Sequence, residues 1–253
     1  MLIATRNKYD CKKGKKKDTN STLEKTANKN YNVAVIIAAL NEEEGIGLTL
    51  AEILRTVNPK NILVIDGRSS DRTVEVAKDM GAQVFFQDRT GKGDAIAKAV
   101  EHIGSDVDYV VVTDADYTYP AEYVPQMIKI LETNPDVGMV CGNRFNERAE
   151  KRVFHSLFYF GNRLLAFTHN LLNGVSLEDP LTGLRVIRAQ ILRDWKVKSQ
   201  GFDVEVELNH QVERKRYGIV EVPIRYRKRL GEKKLKISHG ATILKRIILE
   251  LTY

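Results

Sequence analysis

The chain alternates between unbroken apolar runs and apolar positions at helical spacing. Residues 33–39 are apolar throughout, as a strand covered on both faces must be. Residues 43–56 follow with Ile46, Leu50, Ile53 and Leu54 on one helical face. The same alternation then predicts a strand at 61–66, a helix at 71–80 closed by Gly81, and a strand at 83–86. It continues with a helix at 93–102, a strand at 109–113, a helix at 121–133 and a strand at 137–141. Strands alternating with helices of about ten residues define βαβ units, and hence an α/β fold with a mostly parallel sheet flanked by helices.

Beyond this point the period changes. Residues 153–172 form a long apolar and aromatic stretch containing Phe154, Leu157, Phe158, Phe160, Leu164, Leu165, Phe167 and Leu171, interrupted by His155, Arg163 and His169. A loop at 173–183, a strand at 184–188, a helix at 202–214 and a strand at 218–222 follow, and a second amphipathic stretch covers 242–251. Residues 1–30 have almost no apolar content and cannot offset the entropy of ordering. The expected organisation is a disordered basic tail over 1–30, one domain over 31–240 and an amphipathic helix over 241–253.

Charge refines this picture. Residues 1–30 carry nine Lys and Arg against three acids, and residues 211–253 twelve against four, although the whole chain is only +7. An acidic body with basic ends does not suit general nucleic-acid binding. It suits a solvated surface or attachment to anionic lipid equally well. Cys11 and Cys141 are the only cysteines, too few for a disulfide framework, so a reducing compartment is expected. The N-terminus lacks the apolar core of a signal peptide, and no run reaches the roughly 18 apolar residues of a spanning helix. Action on lipid would require lying on the membrane or borrowing a partner's helices.

Ligands of an open parallel sheet bind beyond the carboxyl ends of its strands. Four successive strand ends carry polar groups: Asn41-Glu42-Glu43-Glu44, Asp66 with Arg68-Ser69-Ser70-Asp71, Gly91-Lys92-Gly93-Asp94, and Asp114-Ala115-Asp116. Alternate residues at a strand end can aim two carboxylates at one point, and hard oxygens suit Mg²⁺ or Mn²⁺ bridging a diphosphate. An isolated Asp-x-Asp is equally readable as a polar turn. Gly91-Lys92-Gly93 could open a helix whose amides and Lys92 face phosphate, or form a plain glycine turn. Asp66 could accept hydrogen bonds from a base or ribose, whereas Asp71 suits an N-cap.

Ala39-Leu40-Asn41-Glu42, Val64-Ile65-Asp66-Gly67-Arg68-Ser69-Ser70-Asp71-Arg72-Thr73, Gly91-Lys92-Gly93 and Asp114-Ala115-Asp116 occur in the order found in family 2 glycosyltransferases. Asp179-Pro180-Leu181-Thr182-Gly183 and Glu221-Val222-Pro223-Ile224 resemble the dolichyl-phosphate mannosyl- and glucosyltransferase branch. The resemblance covers about residues 32–240. It implies a GT-A nucleotide-sugar-binding fold with a Rossmann-like sheet, and an inverting, metal-dependent transfer. By the same resemblance Asn41, Glu42, Asp66, Lys92 and Asp114 bind the nucleotide-sugar, with Asp66 at the base and Lys92 near it. Asp116, with Asp114, holds the metal.

Two departures from the family pattern matter. Gly67 stands where a second Asp is frequent, and Thr118, in Tyr117-Thr118-Tyr119-Pro120, stands where the mannosyl branch usually has Gln. The second departure tilts the donor toward a UDP-sugar, with GDP-mannose the alternative.

On the acceptor side, Arg144 matches the family's arginine after the fifth strand and is expected to hold a phosphate. Asp179 is expected to orient that phosphate or support the metal. Arg152, Arg163 and Arg185 are weaker candidates, while Arg225, Arg227 and Arg229, at alternate positions after the late strand, could share one face toward the phosphate or form a solvated cationic strand end. The leading expectation is hexosyl transfer from a nucleotide-sugar to a polyprenyl or dolichyl phosphate, peripherally on the cytoplasmic face of a membrane, with a membrane-anchoring partner subunit as an option. The alternatives are a soluble transferase acting on a small acid or glycan, or a non-catalytic nucleotide-sugar-binding subunit. A nucleotidyltransferase would need a Gly-rich loop where Asn41-Glu42-Glu43-Glu44 is acidic.

Overall fold

The computed structural model describes residues 31–55, 57, 61–145, 157–173, 176–234 and 239–250, excepting the side chains of 157, 158 and 173. The tail expected over 1–30 lies outside them. The strands are β1 (Val33–Ala39), β2 (Ile62–Asp66), β3 (Gln83–Phe86), β4 (Tyr109–Asp114), β5 (Val137–Asn143), β6 (Arg185–Arg188) and β7 (Gly218–Pro223). They form one seven-stranded sheet in the order β3-β2-β1-β4-β6-β5-β7. Every neighbouring pair is parallel except those of β6, which runs antiparallel to both β4 and β5.

The helices are α1 (Glu43–Ile53), α2 (Thr73–Asp79), α3 (Lys92–Val100), α4 (Val124–Thr133), α5 (Leu157–Asn173), α6 (Ala189–Leu192), α7 (Val204–Arg214) and α8 (His239–Leu249). Successive strand side chains point to opposite faces. Ile36, Ile65, Val110 and Ile187 join Ile96 and Ala99 of α3 and Val204, Leu208 and Val212 of α7 in one core. The alternate positions, among them Val35, Ile37, Val64 and Val140, are also buried, on the side where α4 packs on β5 and β6. The unbroken apolar strands are thus explained by cover on both faces.

Register decides where chemistry can occur. Ala38 pairs with Asp114 and Ala39 with Asp66, so β1, β2 and β4 end together. The backbone is left-handed at Asn41 (φ 49°), Arg68 (φ 66°) and Tyr117 (φ 64°). Each lies one to three residues past one of those strands, and non-glycine residues in this region carry strain that tends to collect at functional sites. Gly45 of α1 lets the helix approach the turn after β4: an added Cβ would meet the Ala115 carbonyl oxygen at 2.7 Å.

At the C-terminal side, α8 packs on α5 and α7. Ile243 and Ile247 bury against Val206, Leu165, Leu181 and Phe202, and Arg246 Nε pairs with Asp203 at 3.1 Å. The outward face of α5 is apolar: Phe160, Leu164, Phe167 and Leu171 are each more than 60% exposed. Their spacing of four, three and four residues aligns them in one stripe. On α8, Leu244, Ile248 and Leu249 are exposed as well.

Candidate functional site

A cavity of about 690 Å³ opens at the carboxyl ends of β1 and β4. Ala38, Ala39 and Asp114 bring the strand ends to it, and Tyr159 and Asn162 of α5 and His239 of α8 form another part of its wall. Of the candidate residues named from the sequence, Glu42, Lys92, Asp114, Asp116, Arg144, Arg227 and Arg229 line it.

Asp116 is held from both sides. Its Oδ1 accepts the Thr118 amide at 3.1 Å and the Thr118 hydroxyl at 2.6 Å. Its Oδ2 is engaged by Arg229, whose other guanidinium nitrogen engages Glu42. Arg229 reaches the site on the segment after β7, which runs beside the Asp-Ala-Asp turn: Arg227 N donates to Thr118 O at 3.0 Å and Leu230 N to Asp116 O at 3.2 Å. Burial raises the Glu42 pKa to about 7 despite Arg229. Burial and then Asp114 raise that of Asp116.

The second Glu42 oxygen is buried without a hydrogen-bond partner, so the carboxylate group there is not fully satisfied by the protein. Among the described residues no three His, Cys, Asp or Glu side chains form a metal-binding cluster. That donor set still fits Mg²⁺ or Mn²⁺, which commonly use one or two carboxylates and take further oxygens from phosphates and water.

Lys92 lies between Asp114 Oδ1 at 2.6 Å and Glu205 Oε1 at 2.8 Å. Burial opposes its charge, but the two carboxylates outweigh burial and raise its pKa. The same contact holds Asp114 below the usual carboxylate range against the opposing effect of burial. As to the two readings of Gly91-Lys92-Gly93, the amides of the first turn are engaged within the protein. Those of Gly93 and Asp94 donate to Gln200 O at 2.8 and 3.3 Å, because glycines at 91 and 93 let α3 close on the 199–201 backbone. A Cβ on Gly93 would meet Ser199 O at 2.2 Å.

Arg144 Nε and Nη2 each lie 2.7 Å from Asp179, whose Oδ2 also accepts the Arg144 amide at 3.0 Å. Asp179 is 1% exposed and does not line the cavity. The guanidinium sits 5.1 Å from the Phe145 ring centroid and 5.6 Å from that of Tyr226. Lys228, Lys233 and Lys234 line the same cavity, and burial, then Arg144 and Arg229, lowers the Lys233 pKa.

Asn41 and Asp66 stand outside the lining. Asp66 accepts the Ser69 amide at 2.7 Å and its hydroxyl at 2.6 Å, while Asn41 Oδ1 accepts the Ser70 amide at 2.8 Å. Both therefore shape the loop after β2. Arg185 is a core residue whose guanidinium bonds Thr182 O, Pro180 O and Asn209 Oδ1. Arg163 and Arg225 are exposed, Arg227 pairs with Glu52 at 2.8 Å, and Arg152 lies outside the described residues. Arg229 is one of three alternating arginines that the sequence offers, and Glu205 cannot be given a place in the site from sequence. Each is one charge among many on a helix or strand end, and only packing brings it to the cavity.

The profile described as "Glycosyl transferase family 2" matches residues 34–195. The dolichyl-phosphate hexose transferase of Haloferax volcanii is 37% identical over 220 residues, covering 85% of this chain and 92% of that protein. The undecaprenyl-phosphate mannosyltransferase of Micrococcus luteus is 28% identical over 218 residues, covering 80% and 87%. Glucosyl-3-phosphoglycerate synthase from Mycobacterium tuberculosis, solved with Mn²⁺, UDP-glucose and phosphoglyceric acid, superposes with a TM-score of 0.68 at 23% identity. That match covers 88% of this chain and 79% of the other, and at this identity it shows the fold alone. The chain belongs to glycosyl transferase family 2: it is a glycosyltransferase built on the GT-A fold.

Proposed function

We propose that this glycosyltransferase moves a hexosyl group from a nucleoside diphosphate sugar, a UDP-sugar in preference to GDP-mannose, onto a polyprenyl phosphate of the dolichyl type. The observation that carries this reading is the double role of α5 and α8. Tyr159, Asn162 and His239 wall the cavity, and the same two helices expose the apolar stripe of Phe160, Leu164, Phe167 and Leu171 with Ile248. A contiguous exposed apolar surface marks an interaction site, and an amphipathic helix can lie in a membrane interface. Among the described residues no helix is long and apolar enough to cross a membrane. A chain that lies on the membrane in this way places the cavity wall next to the lipid that carries the acceptor phosphate.

The residues divide the work by charge. Arg144, fixed by Asp179, and the lysines beside it receive the acceptor phosphate. Lys92, Asp114 and Arg229 surround the donor diphosphate, and Thr118 fixes the Asp116 carboxylate. Asp116, with Asp114, would hold Mg²⁺ or Mn²⁺, which supplies charge neutralisation for the departing diphosphate. Arg229 must shift from its contact with Asp116 and Glu42 for that, and it then adds its own charge to the diphosphate.

The acceptor phosphate oxygen forms the new bond to the anomeric carbon as the bond to the nucleoside diphosphate breaks, and the leaving oxygen keeps the electron pair. Attack opposite the leaving group inverts the anomeric centre. A phosphate monoester is already anionic near neutral pH, so the protein need not supply a strong base. Incubation with Mn²⁺, labelled nucleotide-sugars and a short polyprenyl phosphate tests the reading. Label in an organic-extractable product supports it; label confined to water-soluble products contradicts it.

A further inference from the structure

The carboxylate assigned to the metal already holds a cation that belongs to the protein. Arg229 extends one guanidinium nitrogen to Asp116 Oδ2 and another to Glu42 Oε1, so it bridges the turn after β4 and the turn after β1. Thr118 takes the other Asp116 oxygen through its amide and its hydroxyl. Both oxygens of Asp116 are thus engaged from within the chain.

The backbone that carries Arg229 is itself docked on the Asp-Ala-Asp turn. Arg227 N donates to Thr118 O at 3.0 Å, and Leu230 N donates to Asp116 O at 3.2 Å. Arg227 adds an ion pair with Glu52 at 2.8 Å, and its guanidinium lies 4.3 Å from the Tyr117 ring centroid. Gly231 follows with a left-handed backbone (φ 70°) and passes beside Glu42. A guanidinium on a segment fixed on both sides of it loses little entropy in reaching the two carboxylates.

We propose that Arg229 is a resident competitor of the divalent metal: it occupies Asp116 in the free enzyme, keeps metal affinity low there, and yields when the donor diphosphate offers the guanidinium another anionic partner. The inference rests on the metal reading of Asp116 above. Two cations at one buried carboxylate oxygen repel strongly, so metal and Arg229 hold Asp116 in turn. The phosphates of a nucleoside diphosphate suit the planar fork of an arginine. Nucleotide and metal therefore favour the same arrangement of the 227–230 segment, and linkage makes the coupling between them reciprocal.

The test is Mn²⁺ binding followed by electron paramagnetic resonance, first with the protein alone and then with a nucleoside diphosphate. Arg229→Gln is expected to bind Mn²⁺ alone about ten- to a hundred-fold more tightly than wild type, the size of one hydrogen bond between charged groups. Adding the nucleoside diphosphate should tighten Mn²⁺ by a larger factor in wild type than in this variant. Lys228→Gln removes the same charge from an exposed side chain of the same segment, and solvent screening should keep its affinity for Mn²⁺ alone within about two-fold of wild type. Combining Arg229→Gln with Asp116→Asn should abolish the gain. Thermal melting checks each fold; if Arg229→Gln melts early, Arg229→Lys carries the test, since it keeps the charge, loses the fork and should fall between wild type and Arg229→Gln. Equal affinity of wild type and the Arg229 variants for Mn²⁺ alone overturns the competition, as does an equal gain from Lys228→Gln. Failure of wild type to bind Mn²⁺ even with the nucleoside diphosphate overturns the metal reading itself, and this inference with it.

Discussion

Arg144 grips Asp179 through two parallel hydrogen bonds of 2.7 Å, and the carboxylate takes the Arg144 backbone amide as well. Two residues that the sequence offered as separate catalytic candidates are one unit, with the arginine at the cavity and the aspartate behind it. Removing one member of a buried pair leaves the other uncompensated and costs about 3–5 kcal/mol. Asp179→Ala should therefore lower the unfolding free energy by that order in a urea titration. Arg144→Lys removes the fork but keeps the charge. It should lower kcat/KM for the polyprenyl phosphate about ten- to a hundred-fold, the equivalent of roughly 1.5–3 kcal/mol, with nucleoside diphosphate binding unchanged. A variant that melts early with normal acceptor kinetics would remove Arg144 from the acceptor site.

Asp116→Ala should abolish transfer while the fold survives. The side chain bonds Thr118 and Arg229 but is crowded by Asp114, which with burial raises its pKa, so its loss relieves repulsion as well as removing contacts. Turnover and metal dependence equal to wild type would exclude it as a metal ligand. Thr118→Val removes the 2.6 Å bond that orients the carboxylate and should weaken Mn²⁺ activation without abolishing activity.

A third expectation concerns pH. His169 of α5 and His210 of α7 face each other at 5.5 Å between ring centroids, and burial lowers both pKa values to about 4. Between an unfolded value of 6.5 and that folded value, the unfolded chain binds protons that the folded chain does not. Their contribution is thus complete above pH about 6.5 and is lost as pH falls toward 4. Burial raises Glu213 and Glu221 to about 7, which tilts the same window the other way, so the informative comparison is between proteins. Wild type should lose about 2 kcal/mol more stability than His210→Leu between pH 7 and pH 5. Parallel stability profiles would show that His210 is not held neutral.

The apolar stripe on α5 gives a surface prediction. Phe160→Ser with Leu164→Ser should change the unfolding free energy by less than about 1 kcal/mol, since both side chains are more than 60% exposed. Burying each in a lipid interface is worth about 1.5–3 kcal/mol, so the double variant should release the protein from anionic vesicles by at least ten-fold. Unchanged vesicle binding would detach the stripe from the membrane.

The sequence disclosed the site's strand-end half. Parallel strands covered on both faces write themselves as unbroken apolar runs, so Asp114 and Asp116 could be placed where the fourth run stops. Its other half depends on packing. Glu205 and Arg229 lie 91 and 113 positions beyond Asp114 and Asp116, and no local period links them. The bonds of Asp66 to Ser69, three residues on, were not legible, because neither residue alone shows how the loop between them turns. Arg185 looked like a phosphate ligand because a charge in a short strand gives no sign of the three acceptors that bury it. The antiparallel insertion of β6 between β4 and β5 was likewise invisible, since four residues carry too little pattern to show direction.

The most direct test supplies both kinds of acceptor in one vessel: Mn²⁺, a panel of nucleotide-sugars, and equal concentrations of a short polyprenyl phosphate and phosphoglycerate, with products identified by mass. The account predicts a polyprenyl phosphate heavier by one hexosyl group, formed from one preferred donor and absent with Asp116→Ala. Transfer to phosphoglycerate, with the lipid phosphate unmodified, would contradict it.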